Sequence, residues 1–150
     1  MLNFQVVFGR LKKLAAYANK KESDFRIAVY NQEFTPSEDG TITPLAERKF
    51  PNGGVILGIA ADAAVSGGAT PNNRSLFGLD FQYAGGEALV IDGPVIASAL
   101  MGGGNDTQFP AKEIIVNPTQ AISCRAVNLA GLTGLKINVA YHVAIDRYAG

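Results

Sequence analysis

The sequence predicts an all-β fold, an antiparallel β-sandwich or jelly roll of about eight strands, preceded by a short N-terminal helix or arm. After residue 21, short runs of β-branched and aromatic residues are separated by Gly, Pro and Asn. The 150 residues include 17 Gly and 7 Pro, which is consistent with many turns. No helical pattern of ten or more residues follows Lys21, so the crossover helices of a parallel sheet are not expected. Short antiparallel strands are typical of sandwiches and jelly rolls.

The first 21 residues differ from the rest in charge and periodicity. They carry five Lys or Arg and no acidic residue, whereas the other 129 residues hold 8 basic and 13 acidic side chains. Apolar residues recur at steps of three and four from Phe4 to Ala18, which predicts an amphipathic helix, with a short strand over 4–8 as the alternative. We therefore divide the chain into a basic amphipathic N-terminal helix or arm, 1–21, and a β-sandwich domain, 22–150.

Eight later segments have strand character, shown by alternating or continuous apolar residues. They are 25–30, 54–60, 76–83, 87–91, 95–100, 112–116, 121–127 and 135–145. The stretches 32–50 and 62–75 are rich in polar or small residues and are predicted to be long loops. In the last strand the odd positions from Ile137 to Ile145 are expected to face the core, which places His142 on the opposite face.

Composition excludes several classes of function. The chain has 13 basic and 13 acidic side chains, so no overall charge favours nucleic acid or an anionic membrane. No apolar stretch reaches the length of a membrane-spanning helix. The single Cys and single His exclude an intrachain disulfide and are too few for a Cys/His metal cage. We expect no cofactor, no metal, no nucleic acid and no membrane partner.

No motif predicts an active site, and the chain is expected not to be an enzyme. His142 lacks the partners of a Ser/His/Asp or Cys/His arrangement, so we expect it on the outer face or at a subunit contact. Cys124 is predicted to be a small buried or half-buried filler. The glycine run 102–106 lacks the Gly-Lys-Ser/Thr of a phosphate loop and is predicted to connect strands. Acidic residues are scattered singly, which fits neither a glycosidase pair nor a calcium loop: Asp80, Glu87, Asp92 and Asp106.

The N-terminal segment is the functional candidate. It either packs as a helix on its own sandwich or docks as an arm on a neighbouring chain, where its cations would meet an acidic surface such as the body of an identical subunit. In the second case, deletion of residues 1–21 should leave a folded body that no longer assembles. Two loops, 67–73 and 102–106, are further expected contacts. The expected protein-interface residues are Phe4, Val7, Phe8, Arg10, Leu11, Lys12 and Leu14.

From Phe50 to Tyr148 the layout resembles the small β-sandwich or jelly-roll structural proteins of tailed-phage virions, of the capsid cement, decoration or minor capsid type. The resemblance lies in the strand series 54–60, 76–83, 88–91 and 94–100, and in the ending. That ending is a proline-bounded Ile114-Ile115-Val116-Asn117-Pro118, a strand leading to Asn128-Leu129, and a long alternating strand.

This resemblance implies a non-enzymatic subunit of a phage particle, made in the host cytoplasm and located in the virion. It would bind and stabilise neighbouring capsid subunits, with the N-terminal segment as a capsid-binding or neighbour-binding arm. The implied partners are further copies of the chain, with a trimer favoured, and a major capsid protein. The alternative is a carbohydrate or cell-surface binding module, such as a virion tip or tail component.

Overall fold

The computed structural model describes residues 4–44, 47–64, 76–83, 95–96 and 114–148. Over these residues the chain is an antiparallel β-sandwich with one N-terminal α-helix, which confirms the predicted fold class. Helix α1 spans Phe4–Tyr17, and a short 3-10 turn follows at Glu22–Asp24. The strands are β1 Phe25–Phe34, β2 Thr43–Pro44, β3 Arg48–Lys49, β4 Gly54–Ala64, β5 Phe77–Tyr83, β6 Val95–Ile96, β7 Ile114–Val116, β8 Ala121–Asn128 and β9 Lys136–Asp146.

The strands form two sheets in a nested order. Sheet A has the order β1-β9-β4-β7, and sheet B has the order β2-β8-β5-β6, with β3 also on β8. Because β2 and β3 pair with successive parts of β8, they act as one interrupted strand, and the described residues form eight strand positions. The first position pairs with the last, the second with the seventh, the third with the sixth and the fourth with the fifth. The chain is therefore one long antiparallel hairpin wound into two sheets.

The predicted strands recur wherever the structure describes them, but their bounds change. β1 continues to Phe34 and β4 to Ala64, inside stretches predicted to be loops, and 32–50 also contains β2 and β3. The extension has a physical reason, since β9 pairs with β1 on one side and β4 on the other along nearly all of its length. The predicted strand 87–91, residues 97–100 of the next one, and both glycine-rich loops at 67–73 and 102–106 lie outside the described residues.

The space between the sheets is filled by apolar side chains and crossed by a series of aromatic rings. Tyr141 of sheet A meets Phe81 of sheet B edge to face, with ring centroids 6.0 Å apart. Phe50 packs in the same way on Tyr141 at 5.6 Å and on Tyr30 at 5.4 Å. Such contacts stabilise beyond the area that they bury. The predicted alternation in β9 is confirmed, because its odd positions all lie in this core: Ile137, Val139, Tyr141, Val143 and Ile145.

Helix α1 covers the outer face of sheet A. Its positions Val7, Leu11 and Ala15 follow each other at four-residue steps and are buried. They form a second apolar cluster with residues of three strands, Phe25, Leu57 and Ala144. The N-terminal segment thus packs on its own sandwich, the first of the two alternatives, and residues 4–8 are helical rather than extended. Removing residues 1–21 would uncover this apolar face.

A β-bulge in β4 anchors the helix. The register with β9 shifts between Ile56 and Gly58, so the intervening Leu57 has no partner residue on β9. The carbonyl oxygen of Leu57 instead accepts a hydrogen bond of 2.6 Å from Nη1 of Arg10, and the Leu57 side chain is buried under α1. The extra residue also shifts the inward and outward alternation of the β4 side chains by one position. For this reason both Ile56 and Ile59, which are three residues apart, face the sandwich core.

We expect Leu11→Ala to lower the free energy of unfolding by about 2–4 kcal/mol, because it removes a buried side chain and leaves a cavity between helix and sheet. The measurement is urea denaturation followed by circular dichroism. Lys12→Ala is the matched control, since Lys12 is exposed on the same helix and its loss should change stability by less than about 0.5 kcal/mol. Equal effects of the two variants would show that α1 does not pack on sheet A.

Candidate functional site

His142 lies on the outer face of sheet A, two residues before Ala144, which packs against helix α1. Its position opposite the core-facing residues is the predicted one, but the face is covered and the side chain is fully buried, with 0% exposed. It stands across from Gly58 of β4 and Val29 of β1. Its Nδ1 lies 3.2 Å from the Gly58 carbonyl oxygen. Residue patterns around His142 do not predict this burial, because α1 is distant along the chain.

The hydrogen bond to Gly58 fixes the protonation of the imidazole. A carbonyl oxygen can only accept, so Nδ1 carries a proton, and in the neutral imidazole Nε2 then presents a lone pair. Nε2 is buried and has no hydrogen-bond partner among the described residues. Burial lowers the pKa of His142, and the bond to Gly58 opposes that shift only in part. The folded protein therefore favours the neutral form of His142.

A groove runs between α1 and the β7 edge of sheet A. Its volume is 390 Å³, and its lining is Lys13, Leu14, Tyr17, Val55 and Ile115. We call this the Tyr17 groove.

The groove exists because α1 covers β1, β9 and β4 but does not reach across β7. Val55 pairs with Ile115 across the β4–β7 ladder, so both side chains lie on the same outer face. Ile115 is 70% exposed and Tyr17 is 93% exposed. Apolar side chains scattered singly on a surface are ordinary, but a contiguous set such as this one is typical of a surface that binds another molecule.

The predicted interface residues are distributed over both sides of α1. Val7 and Leu11 are buried against the chain's own sheet, and Arg10 is hydrogen-bonded to the bulge. Phe8 and Lys12 are exposed, while Leu14 is half-buried and lines the Tyr17 groove. Phe4 is the first residue of the helix.

The other four groove residues, Lys13, Tyr17, Val55 and Ile115, were not among the predicted interface residues. Tyr17 lies off the apolar stripe of the helix. A usable signal existed for Ile115, since three successive apolar residues in a strand cannot all face one side.

The singly placed Asp80 and Cys124 have structural roles. The Asp80 carboxylate accepts hydrogen bonds from the guanidinium of Arg125, directly across the β5–β8 ladder, with Nε 3.0 Å from Oδ1. Cys124 is buried in the sandwich core, as predicted, and this burial raises the pKa of its thiol. Glu87, Asp92 and Asp106 lie outside the described residues.

A second groove, of 220 Å³, lies on the outer face of sheet A beyond the helix. Small residues such as Ala60 and Ala140 line it, together with Asn31, Asp62 and Asn138. We call it the Asn138 groove. Its amide and carboxylate groups can donate and accept hydrogen bonds to a polar ligand.

Within the described ranges, no group of three or more His, Cys, Asp or Glu side chains is placed to hold a metal ion. In the same part of the chain no helix has both the length and the apolar character needed to cross a membrane.

Comparisons of the chain with protein-family models, with curated proteins and with solved structures give no match.

We expect the stability of the protein to fall as the pH drops below the ordinary histidine pKa of about 6.5, because of His142. The unfolded chain takes up a proton there, whereas burial lowers the pKa of His142 in the folded chain, which is protonated only at lower pH, so protonation favours unfolding. In His142→Gln this contribution is absent. As the pH falls, the free energy of unfolding of the wild type should therefore decrease relative to that of the variant, by at most about 1.4 kcal/mol per pH unit.

The measurement is urea denaturation of both proteins at several pH values between 8 and 5. The carboxylates titrate in both proteins, so the variant serves as the control for them. Stability curves that stay parallel over the whole pH range would contradict the assignment of a neutral, buried His142.

Proposed function

We propose that the protein is a non-enzymatic structural subunit of a virus particle of the tailed-phage type. The nested strand order described above is that of a jelly roll, an architecture that viral capsid domains use. Lectins and cupins use it as well, so the strand order alone assigns no function. The choice between these classes of protein therefore depends on the surface of the sandwich.

The Tyr17 groove is the observation that carries the proposal. It is open and apolar, with Tyr17 and Ile115 largely exposed and Lys13 at its side. Small-molecule pockets are instead concave, with a few converging polar groups. Aromatic and aliphatic side chains at the centre of a patch, with charges around it, are typical of protein–protein interfaces. The groove therefore fits a neighbouring protein better than a small substrate.

The charge of helix α1, whose Lys13 lines the groove, supports a neighbour with an acidic surface. Helix α1 carries Arg10, Lys12 and Lys13 and no acidic residue, and both lysines are exposed. Because α1 is fixed to the sheet through Arg10 and its buried face, these cations have a defined position and do not form a mobile arm. In the proposed role, the chain stabilises capsid neighbours as a cement, decoration or minor capsid protein, with a major capsid protein and copies of itself as partners.

A second candidate function is carbohydrate or cell-surface binding, and the Asn138 groove favours it. The amides of Asn31 and Asn138 and the carboxylate of Asp62 lie around a floor of small residues, which suits hydroxyl groups. Saturable binding of glycans to the isolated chain, lost in Asn31→Ala/Asn138→Ala, would support this function.

We expect the chain to be a component of virus particles. Particles are taken from a culture that produces the virus whose genome encodes the chain, and they are separated on a density gradient. An antibody to the chain then locates it in the gradient fractions. The chain should peak with the major shell protein at a fixed molar ratio. Its presence only in the soluble fractions would contradict the proposal.

The same particles test the Tyr17 groove. Purified wild-type chain should rebind to particles from which it has been removed, whereas Tyr17→Glu/Ile115→Glu should lose most of this binding, because two carboxylates would have to be buried in the contact. Tyr148→Glu is the matched control, since Tyr148 is 76% exposed but lies outside the groove. Equal rebinding of both variants would exclude the groove as the docking surface.

A further inference from the structure

A second exposed surface combines acidic and apolar side chains. The loop 35–42 lies beside the turn 129–134, because Thr43 pairs with Ala126 where β2 begins. In addition, the Glu38 carbonyl oxygen is 3.7 Å from the point where a Cβ on Gly131 would stand. This surface contains Glu38 and Asp39, with Ile42 48% and Leu129 50% exposed. We call these four residues the acidic patch.

Hydrogen bonds within the loop hold the charge of the acidic patch in place. Oδ1 of Asp39 accepts hydrogen bonds from Oγ of Ser37 at 2.8 Å and from the backbone nitrogen and Oγ1 of Thr41 at 2.9 and 2.7 Å. These bonds lower the pKa of Asp39 to about 2, so it is ionised at any physiological pH. The segments 35–42 and 129–134 contain no Lys or Arg that would neutralise it.

The acidic patch and the Tyr17 groove lie at opposite ends of β9. Val55 of the groove pairs with Ala144 near the end of β9, whereas the turn 129–134 leads into its start at Lys136. Nine or so residues of extended chain separate the two surfaces by roughly 30 Å. They therefore cannot meet within one chain, but each is free to contact a different neighbour.

We propose that the Tyr17 groove receives the acidic patch of a second copy of the chain, head to tail. This inference rests on the proposed function and names one neighbour of the groove. The two surfaces are complementary in apolar character and in charge. Ile42 and Leu129 supply apolar side chains for Tyr17 and Ile115. Glu38 and Asp39 supply a negative charge for Lys13, which no other lining residue in the described part of the chain offers.

A contact between two different surfaces generates a ring if its rotation closes and a filament if it does not. Every subunit of a ring uses both its groove and its acidic patch. A symmetric dimer, in contrast, would use one surface twice. This difference can be measured with two variants that each lose one surface.

The experiment uses sedimentation velocity on the full chain over a concentration series. Lys13→Glu/Ile115→Glu removes the groove, and Glu38→Lys/Leu129→Lys removes the acidic patch. All four positions are exposed, so both variants should fold, as thermal unfolding will verify. We expect the wild type to form discrete oligomers and each variant to associate about a hundredfold more weakly. Tyr148→Lys, the matched control, should behave as the wild type does.

The decisive sample is an equimolar mixture of the two variants. Each retains the surface that the other has lost, so one intact joint remains possible, and the mixture should form a 1:1 dimer and nothing larger. A mixture that stays monomeric, a variant that still forms the wild-type oligomer, or a wild type that is monomeric at every concentration would each overturn the inference. A monomeric wild type that still rebinds to particles would leave the proposed function standing, whereas self-association without any particle fraction would contradict the proposed function alone.

Discussion

The centre of sheet A is buried on both of its faces, and most other features of the molecule depend on this. One face of β9 forms the sandwich core around Tyr141, and the other lies under α1, where His142 and Ala144 are buried. A half-covered antiparallel sheet needs apolar residues on one face only. Here β4 must be apolar on both, which accounts for its continuous run from Val55 to Ala61. The helix, the bulge at Leu57 and the neutral His142 are all parts of this second layer.

The position of the Tyr17 groove follows from the width of that layer. A single helix covers about 10 Å of a sheet whose strands are roughly 4.8 Å apart, so α1 cannot shield all four strands of sheet A. It is centred on the strands that meet at Leu57 and Ala144, and β7 remains outside its reach. The exposed Ile115 and Tyr17 mark the place where this coverage ends. In the proposed contact, a neighbouring chain would cover the part of sheet A that α1 leaves exposed.

Sequence patterns were sufficient for features that depend on local periodicity. Alternation located β9 and its inward residues, and three- and four-residue steps located α1, because both patterns follow directly from backbone geometry. They were insufficient wherever distant segments meet. Nothing local to His142 indicates that a helix from the other end of the chain covers it. The extension of β1 through Asn31 and Gln32 was also missed, since it depends on the length of its partner β9 and not on its own composition.

The interface residues illustrate the same limit. An apolar stripe on a short helix shows that the helix binds something, but it does not show whether the binding surface belongs to the same chain. The Arg10 guanidinium looked like a free charge for a neighbour, yet it bonds to the carbonyl oxygen that the bulge at Leu57 exposes. A bulge leaves almost no trace in sequence, because it is defined by the register against another strand.

The bulge also concentrates two of the helix contacts, the buried Leu57 side chain and the carbonyl oxygen bound by Arg10, in one residue. Without Leu57, Ile56 and Gly58 would face consecutive residues of β9, Val143 and His142, and β4 would become a regular strand with every other pairing kept. A single residue therefore decides whether β4 presents a carbonyl oxygen that accepts the hydrogen bond from Arg10 of the helix. Deletion of this one residue would remove both the Leu57 side chain and the carbonyl oxygen that Arg10 binds, while the order of the strands stayed as it is.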